Sequence, residues 1–276
     1  VYKRQTFKNG LRFGVTASVA DDKTEVTKWT YNTKIPSYGA TGWWDKSAYK
    51  EGMVLGDIWG LQFDRFLTED DFNADGSLKA GLPDQTKVFP AGYQFAPGDV
   101  LYKDLDNNGE IVKQTNTNDK GDLSVIGNAL PRLQFGLNLD AAWKGFDISM
   151  FFQGVAKRKL WAAGNQVLPG FTTGEPFYKG AEDYWTPENT DAFYPRPMDY
   201  KQSASGNYSV NDRYLLNMAY LRLKTFTVGY SLPKVWLSKF KVQGLRVYFT
   251  GENLFTIDGV KPAIDPEIGI RTASGK

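Results

Sequence analysis

Residues 104 to 111 read Asp-Leu-Asp-Asn-Asn-Gly-Glu-Ile. Asp104, Asp106 and Asn108 alternate along the chain, so a tight bend would gather three oxygen-bearing side chains around one point. Gly109 permits the bend, and Glu110 would add its backbone carbonyl. This spacing fits the opening positions of an EF-hand calcium loop. Every candidate ligand is a hard oxygen, which favours Ca2+ over softer cations. The pattern departs from an EF-hand at its last position, Thr115, where a bidentate Glu belongs. Asp119 or Asp122 could substitute. The flanks do not read as helices. The other reading is an Asp/Asn turn held by side-chain-to-backbone hydrogen bonds, and spacing alone leaves both open.

Trp43, Trp44, Trp59, Trp161, Tyr184 and Trp185 fall in segments rich in Gly, Pro and polar residues. Aromatic faces stack on sugar rings, which makes them candidate ligand-facing or lid-facing contacts. Packing within large loops is the competing reading. Glu69-Asp70-Asp71 superficially offers a carboxylate pair for glycoside chemistry, but it reads better as a solvated turn. Asn207-Tyr208-Ser209 is a formal glycosylation sequon with no companion signal.

Two counts close off much of catalysis. The chain has 276 residues, no Cys and no His. That removes the Ser-His-Asp triad, thiolate nucleophiles and the usual zinc ligands, and the chain reads as a non-enzyme. Lys plus Arg is 33 against 31 Asp plus Glu, for a net charge of +2. So even a balance predicts no nucleic-acid partner. No apolar run approaches the about 18 residues of a membrane helix. A membrane-spanning strand shows only one apolar face and keeps mean hydropathy low, so the value of −0.43 does not exclude a barrel.

Alternation is the main structural signal. Leu11, Phe13, Val15, Ala17 and Val19 share one face after Lys8-Asn9-Gly10, a hairpin signal. A further strand is predicted over roughly Thr24 to Tyr31. Leu133, Phe135, Leu137, Leu139, Ala141 and Trp143 alternate with polar or small residues, turn at Lys144-Gly145, and continue as Phe146, Ile148, Met150 and Phe152. In Tyr220 to Leu232 the polarity changes phase. Arg222 and Lys224 fall in step with Phe226, Val228 and Tyr230, which predicts either a strand leaving an apolar slab or a bulge near Thr225. Leu245 to Ile257 is the last strand, with Val247 and Phe249 on one face and Arg246, Thr250 and Glu252 on the other. Residues 35–127 and 156–217 read mainly as two long loops. Short turns on one side of a sheet and long loops on the other predict an all-β, partial antiparallel transmembrane barrel. A secreted carbohydrate-binding β-sandwich is the alternative, because periodicity cannot tell lipid from a second sheet.

Several segments, in order, resemble the SusC/RagA class of TonB-dependent outer-membrane transporters. They are Gly56-Asp57-Ile58-Trp59-Gly60, Pro97-Gly98-Asp99 through Asn108-Gly109, Ile126-Gly127-Asn128 with Pro131-Arg132, and Trp143-Lys144-Gly145-Phe146-Asp147. Tyr184-Trp185-Thr186-Pro187-Glu188-Asn189, Tyr194-Pro195-Arg196, Gly251-Glu252-Asn253-Leu254-Phe255 and Asp265-Pro266-Glu267 follow. Each is weak alone, but their joint order is specific. The resemblance implies that residues 1–276 are a C-terminal portion of a TonB-dependent receptor barrel, without plug domain or terminal strand. It further implies a bacterial outer-membrane location in contact with lipid, import of oligosaccharides or peptides, a SusD-like lipoprotein as lid, and the TonB complex as energy source. No cofactor is required beyond the candidate Ca2+.

Overall fold

The computed structural model describes residues 1–29, 51–113, 120–162, 164, 166–170, 177–198, 206–261 and 264–267. Its strands are β1 (Tyr2–Thr6), β2 (Arg12–Ala20), β3 (Asp57–Gly60), β4 (Phe63–Phe66), β5 (Val100–Tyr102) and β6 (Ser124–Asn128), then β7 (Arg132–Trp143), β8 (Phe146–Lys157), β9 (Lys159–Leu160), β10 (Leu216–Asn217), β11 (Tyr220–Ser231) and β12 (Arg246–Asp258). One helical turn, α1 (Lys234–Leu237), separates β11 from β12. The chain divides into a sheet unit (Val1–Lys23, Pro131–Arg158, Met218–Val260) and a loop unit formed by the remaining segments.

The sheet unit is one antiparallel sheet in the order β1-β2-β7-β8-β11-β12. At the β7–β8 turn, Lys144 and Gly145 have φ of 47° and 91°. Two consecutive positive φ values are those of a type I′ turn, whose twist matches the flanking strands. The register then sorts the side chains. One row runs Phe13, Ala141, Ile148, Val228, Phe249 across five strands. The neighbouring row on the other face runs Gly14, Asp140, Ser149, Thr227, Thr250. The polar face is cross-linked: Thr227 and Thr250 hydroxyls lie 2.8 Å apart, and Arg246 Nη2 donates to Asp147 Oδ2 at 2.5 Å.

The phase change in β11 is a bulge. The register shifts between Leu223 and Thr225: against β8 the extra residue is Lys224, whereas against β12 the extra residue is on β12, where Asn253 (φ 51°) and Leu254 stand opposite Lys224. Arg222 thereby rejoins the polar face opposite Gln153 and Thr256, and its Nε donates to Thr256 Oγ1 at 2.7 Å. Arg222 and Phe226 therefore do not share a face, because the inserted residue resets the alternation. The apolar row stays open to solvent: Val19 is 72% exposed, Phe146 57% and Phe249 62%. A sandwich needs that row buried against a second sheet; the architecture here is the open sheet of a barrel wall.

The loop unit is more ordered than its sequence suggests. Residues 35–127, read as mainly loop, contain β3 to β6. β3 pairs with β6 and β4 with β5, both antiparallel. Their core gathers Leu61, Phe66, Val100, Ile111, Leu123 and Trp185. The strand predicted over Thr24 to Tyr31 is, among the described residues, a single bridge between Glu25 and Val54. Its backbone bonds are local exchanges between Thr24 or Val26 and residues 52–55.

Candidate functional site

The loop unit is wired around Asp99. This carboxylate is fully buried. Its Oδ1 accepts from Arg196 Nε at 2.8 Å, the Tyr93 hydroxyl at 2.8 Å and Asn207 Nδ2 at 2.9 Å, while Oδ2 accepts the Ala96 N–H at 2.9 Å. Saturated acceptors and a paired guanidinium are what a buried charge requires. Gly98, just before it, has φ of 90°, and a Cβ there would sit 2.5 Å from the Trp185 ring. The Pro97-Gly98-Asp99 and Tyr194-Pro195-Arg196 segments are thus two halves of one ion pair, its carboxylate buried and its guanidinium partly so.

Side chains also complete the backbone of the short strand β5. Gln85 donates to the Val100 carbonyl at 2.8 Å and accepts the Tyr102 N–H at 3.2 Å. Asn207 Oδ1 accepts the Val100 N–H at 2.8 Å. Asn207 is fully buried, so the sequon asparagine is an internal hydrogen-bonding residue. Its structural role is invisible in sequence, since its partners lie about a hundred residues away. Asp71 is also not the solvated residue expected of an acidic turn: it is buried and ion-paired to Arg65 at 2.5 Å.

In the acidic turn, Asp104 Oδ2 accepts the Gly109 N–H at 2.8 Å, and Asp106 Oδ1 accepts the Asn108 N–H at 3.1 Å. Asn108 Oδ1 accepts the Glu110 N–H at 2.8 Å, and the Asn108 amide donates to Asp106 at 3.0 Å. Glu110 turns its carboxylate to Lys87. These are the bonds of an Asx turn. Beside it, Asp104, Asp106 and Asp122 place carboxylate oxygens within 4.8 Å of one another. Asp122 is buried, its oxygens accepting the Leu105 and Val112 N–H groups at 2.7 Å each. Desolvation, a hydrogen bond shared with Asp104 and the charge of Asp122 push the Asp106 carboxyl up from its ordinary value.

The candidate aromatics divide. Trp161 and Trp185 are buried, Trp185 within the core, so they pack rather than present a face to a ligand. Trp59 is half-buried against the same core. Trp43 and Trp44 lie outside the described residues. Tyr184 is exposed and lines a cavity of about 480 Å³ together with Phe177, Tyr178, Glu182 and Pro195. Tyr194 and Tyr208, both buried, also line this cavity. Burial pushes the Tyr194 phenol up to about 12, so it stays protonated and donates to the Val167 carbonyl at 2.9 Å. Apolar ring faces with a few polar groups suit sugar rings or apolar peptide side chains. Sequence spacing found Tyr184 but missed its neighbours.

No protein-family model matches the chain. TonB-dependent receptor P3 of Formosa agariphila is 29% identical over 228 residues, which is 80% of this chain and 19% of that receptor. TonB-dependent receptor P26 of the same organism is 34% identical over 166 residues, 59% of this chain and 16% of that receptor. The chain therefore spans under a fifth of the length of these curated relatives. The solved structure of the RagAB peptide transporter matches 97% of this chain and 26% of its own, at a TM-score of 0.64 and 16% identity. The RagAB peptide importer in its open-open state matches 97% and 25% at a TM-score of 0.62, also 16% identical. At that identity the structural likeness is one of fold. The chain is thus similar in sequence to parts of TonB-dependent receptors and shares its fold with part of the RagAB importer.

Proposed function

We propose that this chain is part of a bacterial outer-membrane importer for oligosaccharides or peptides, energised by the TonB complex and working with a SusD-like surface lipoprotein. The observation that carries the reading is the two-faced sheet: an exposed apolar row backed by a polar, cross-linked row. Such a sheet is at home between lipid and an aqueous lumen. The register supports the orientation, because the turns after β1, β7 and β11 are short and all lie at one end, while the long connections leave from the other. Short turns are periplasmic in such barrels and long loops extracellular, and the extracellular side is where ligand or lipoprotein would arrive. The relatives are receptors, in keeping with a protein that binds and moves its ligand without chemistry.

The test uses the complete protein in its own cell. It should fractionate with outer membranes, co-purify with a lipoprotein, and support TonB-dependent uptake of a labelled oligosaccharide or peptide. Recovery in the soluble fraction without detergent would refute the assignment. For the acidic turn we propose Ca2+ as ligand, because a cation would relieve the repulsion among Asp104, Asp106 and Asp122. Calorimetry with the complete protein should show binding by millimolar Ca2+ that Asp104→Asn weakens; absence of heat leaves the Asx turn as the whole account.

A further inference from the structure

The connection between β11 and β12 carries a surface that the sheet does not use. Residues 232–245 read Leu-Pro-Lys-Val-Trp-Leu-Ser-Lys-Phe-Lys-Val-Gln-Gly-Leu. They contain three lysines and no acidic residue. Pro233 opens α1, and the chain continues as a 3-10 turn over Ser238–Phe240. Lys241, at φ 57°, reverses the backbone so that the Val242 N–H reaches the Leu237 carbonyl at 3.3 Å. One apolar side chain, Leu237, is tucked in at 5% exposure. The others face out: Val235 is 77% exposed, Trp236 59% and Phe240 77%. This compact fold of the turn is held by its own bonds, and it presents its apolar residues rather than hiding them.

Other aromatics occupy the same end of the sheet. Trp143 and Phe146 flank the β7–β8 turn, both exposed, and the Phe146 ring lies 4.4 Å from that of Tyr230. The Lys144 ammonium sits 4.7 Å over the Trp143 ring. Aromatic rings with adjacent cations are the composition of a membrane-water interface, where rings sit at headgroup level and lysines reach phosphate. An exposed apolar connection whose charged residues are all lysines is complementary to a surface that is greasy below and anionic above.

We propose that residues 233–242 lie flat in the phospholipid layer as an interfacial anchor. Trp236 and Phe240 enter the acyl boundary. Lys234, Lys239 and Lys241 hold lipid phosphates, with preference for an anionic headgroup such as phosphatidylglycerol. The proposal rests on the membrane reading above and adds to it a named anchor and a lipid class.

The test reconstitutes the complete protein in vesicles of phosphatidylcholine, with or without phosphatidylglycerol, using acyl-brominated versions of each lipid as tryptophan quenchers. Trp236→Phe should remove part of the quenchable emission. Brominated phosphatidylglycerol should quench that part at least about twofold more than brominated phosphatidylcholine. The variant with Lys234→Gln, Lys239→Gln and Lys241→Gln should abolish the twofold preference while leaving quenching at Trp143 unchanged. If Trp236→Phe leaves the quenched emission intact, or if both lipids quench its share equally, the proposal is overturned. Shielding of Trp236 from both lipid and aqueous iodide would also overturn it, showing that a periplasmic protein or a second copy covers the turn. Loss of lipid quenching at Trp143 as well would instead bring down the membrane reading itself.

Discussion

In the loop unit Leu61, Val100, Ile111 and Leu168 are withdrawn from solvent altogether, whereas in the sheet Val19, Phe146, Val247 and Phe249 each keep more than half of their surface exposed. Polar groups show the reverse contrast. The loop unit buries Gln85, Asp99, Asp122, Asn207 and Asn211; the sheet keeps Asp147, Arg246, Thr227 and Thr250 paired across an open face. The backbone explains both. A strand between two neighbours has its N–H and C=O groups satisfied by the ladder, so its side chains are free to follow the solvent on each side. An irregular chain has no ladder, and buried Asx and Gln side chains must supply the missing partners. The apolar residues of the loop unit make a core in the ordinary sense. Those of the sheet touch neighbours along their own face, as Phe146 does Tyr230, yet stay open on the outer side, and lipid is the solvent that suits such a face.

The largest effect should come from cutting the wiring of the loop unit. Asp99→Ala leaves a guanidinium, a phenol, an amide and a backbone N–H without their acceptor. Breaking a buried pair from one side costs about 3–5 kcal/mol. Hydrogen exchange on the complete protein in detergent should show lost protection in β4, β5 and residues 194–196, with β7 and β8 unchanged. Equal loss in β7 and β8 would mean that the two regions unfold as one, and the contrast drawn above would dissolve.

The next effect belongs to the sheet. Leu139 stands between Val15 and Met150 in the apolar row, and Asn138 stands beside it on the polar face. Leu139→Arg should destabilise the protein folded in lipid vesicles by about 2–4 kcal/mol, while Asn138→Arg should cost close to nothing. Matching losses at the two positions, read from denaturant unfolding in vesicles, would show that neither face meets lipid.

These two regions were unequally legible. The hairpin at Lys144-Gly145, the faces of β2, β7, β8 and β12, and the segregation of turns all follow from period-two alternation over long strands. The phase change at Arg222 and Lys224 was visible, but spacing left a strand leaving the apolar slab and a bulge near Thr225 equally open. The loop unit defeated the same method because its strands run only two to five residues. Too few side chains alternate to signal a period, and the core joins Leu61 to Trp185 across more than a hundred positions. Asp99 and Arg196 stood in recognisable segments, yet nothing local said they would meet. Trp161 and Trp185 stood as candidate ligand contacts beside a packing reading, and loop composition could not say how deeply they pack.

The smallest effect, and the finest test of how the loop unit holds its charges, concerns Asp71. Its two oxygens accept from Arg65 at 2.5 and 2.7 Å, and Oδ2 also takes the Thr68 N–H at 2.8 Å. The Arg65 hydrogen bonds, opposed by desolvation and joined by Thr68, bring this carboxyl from 3.8 down to about 2. A carboxylate whose folded value is depressed contributes stability that is fully present above its unfolded value and is lost as pH falls through the folded one. The contribution is therefore present above about pH 4, falls as pH drops toward 2, and is gone only below about pH 2. Because the Arg65 side chain is 43% exposed, solvent screens the pair, and the contribution is on the order of 1–2 kcal/mol. Thermal melting of the complete protein in detergent should show the loop-unit transition falling across this window. Asp71→Asn should melt lower at neutral pH and show a shallower fall, converging on the unmodified protein at the acid end. If the two proteins instead run parallel down to the acid end, Asp71 carries no linked proton, and the acidic turn at residues 69–71 is the solvated feature that its sequence suggests.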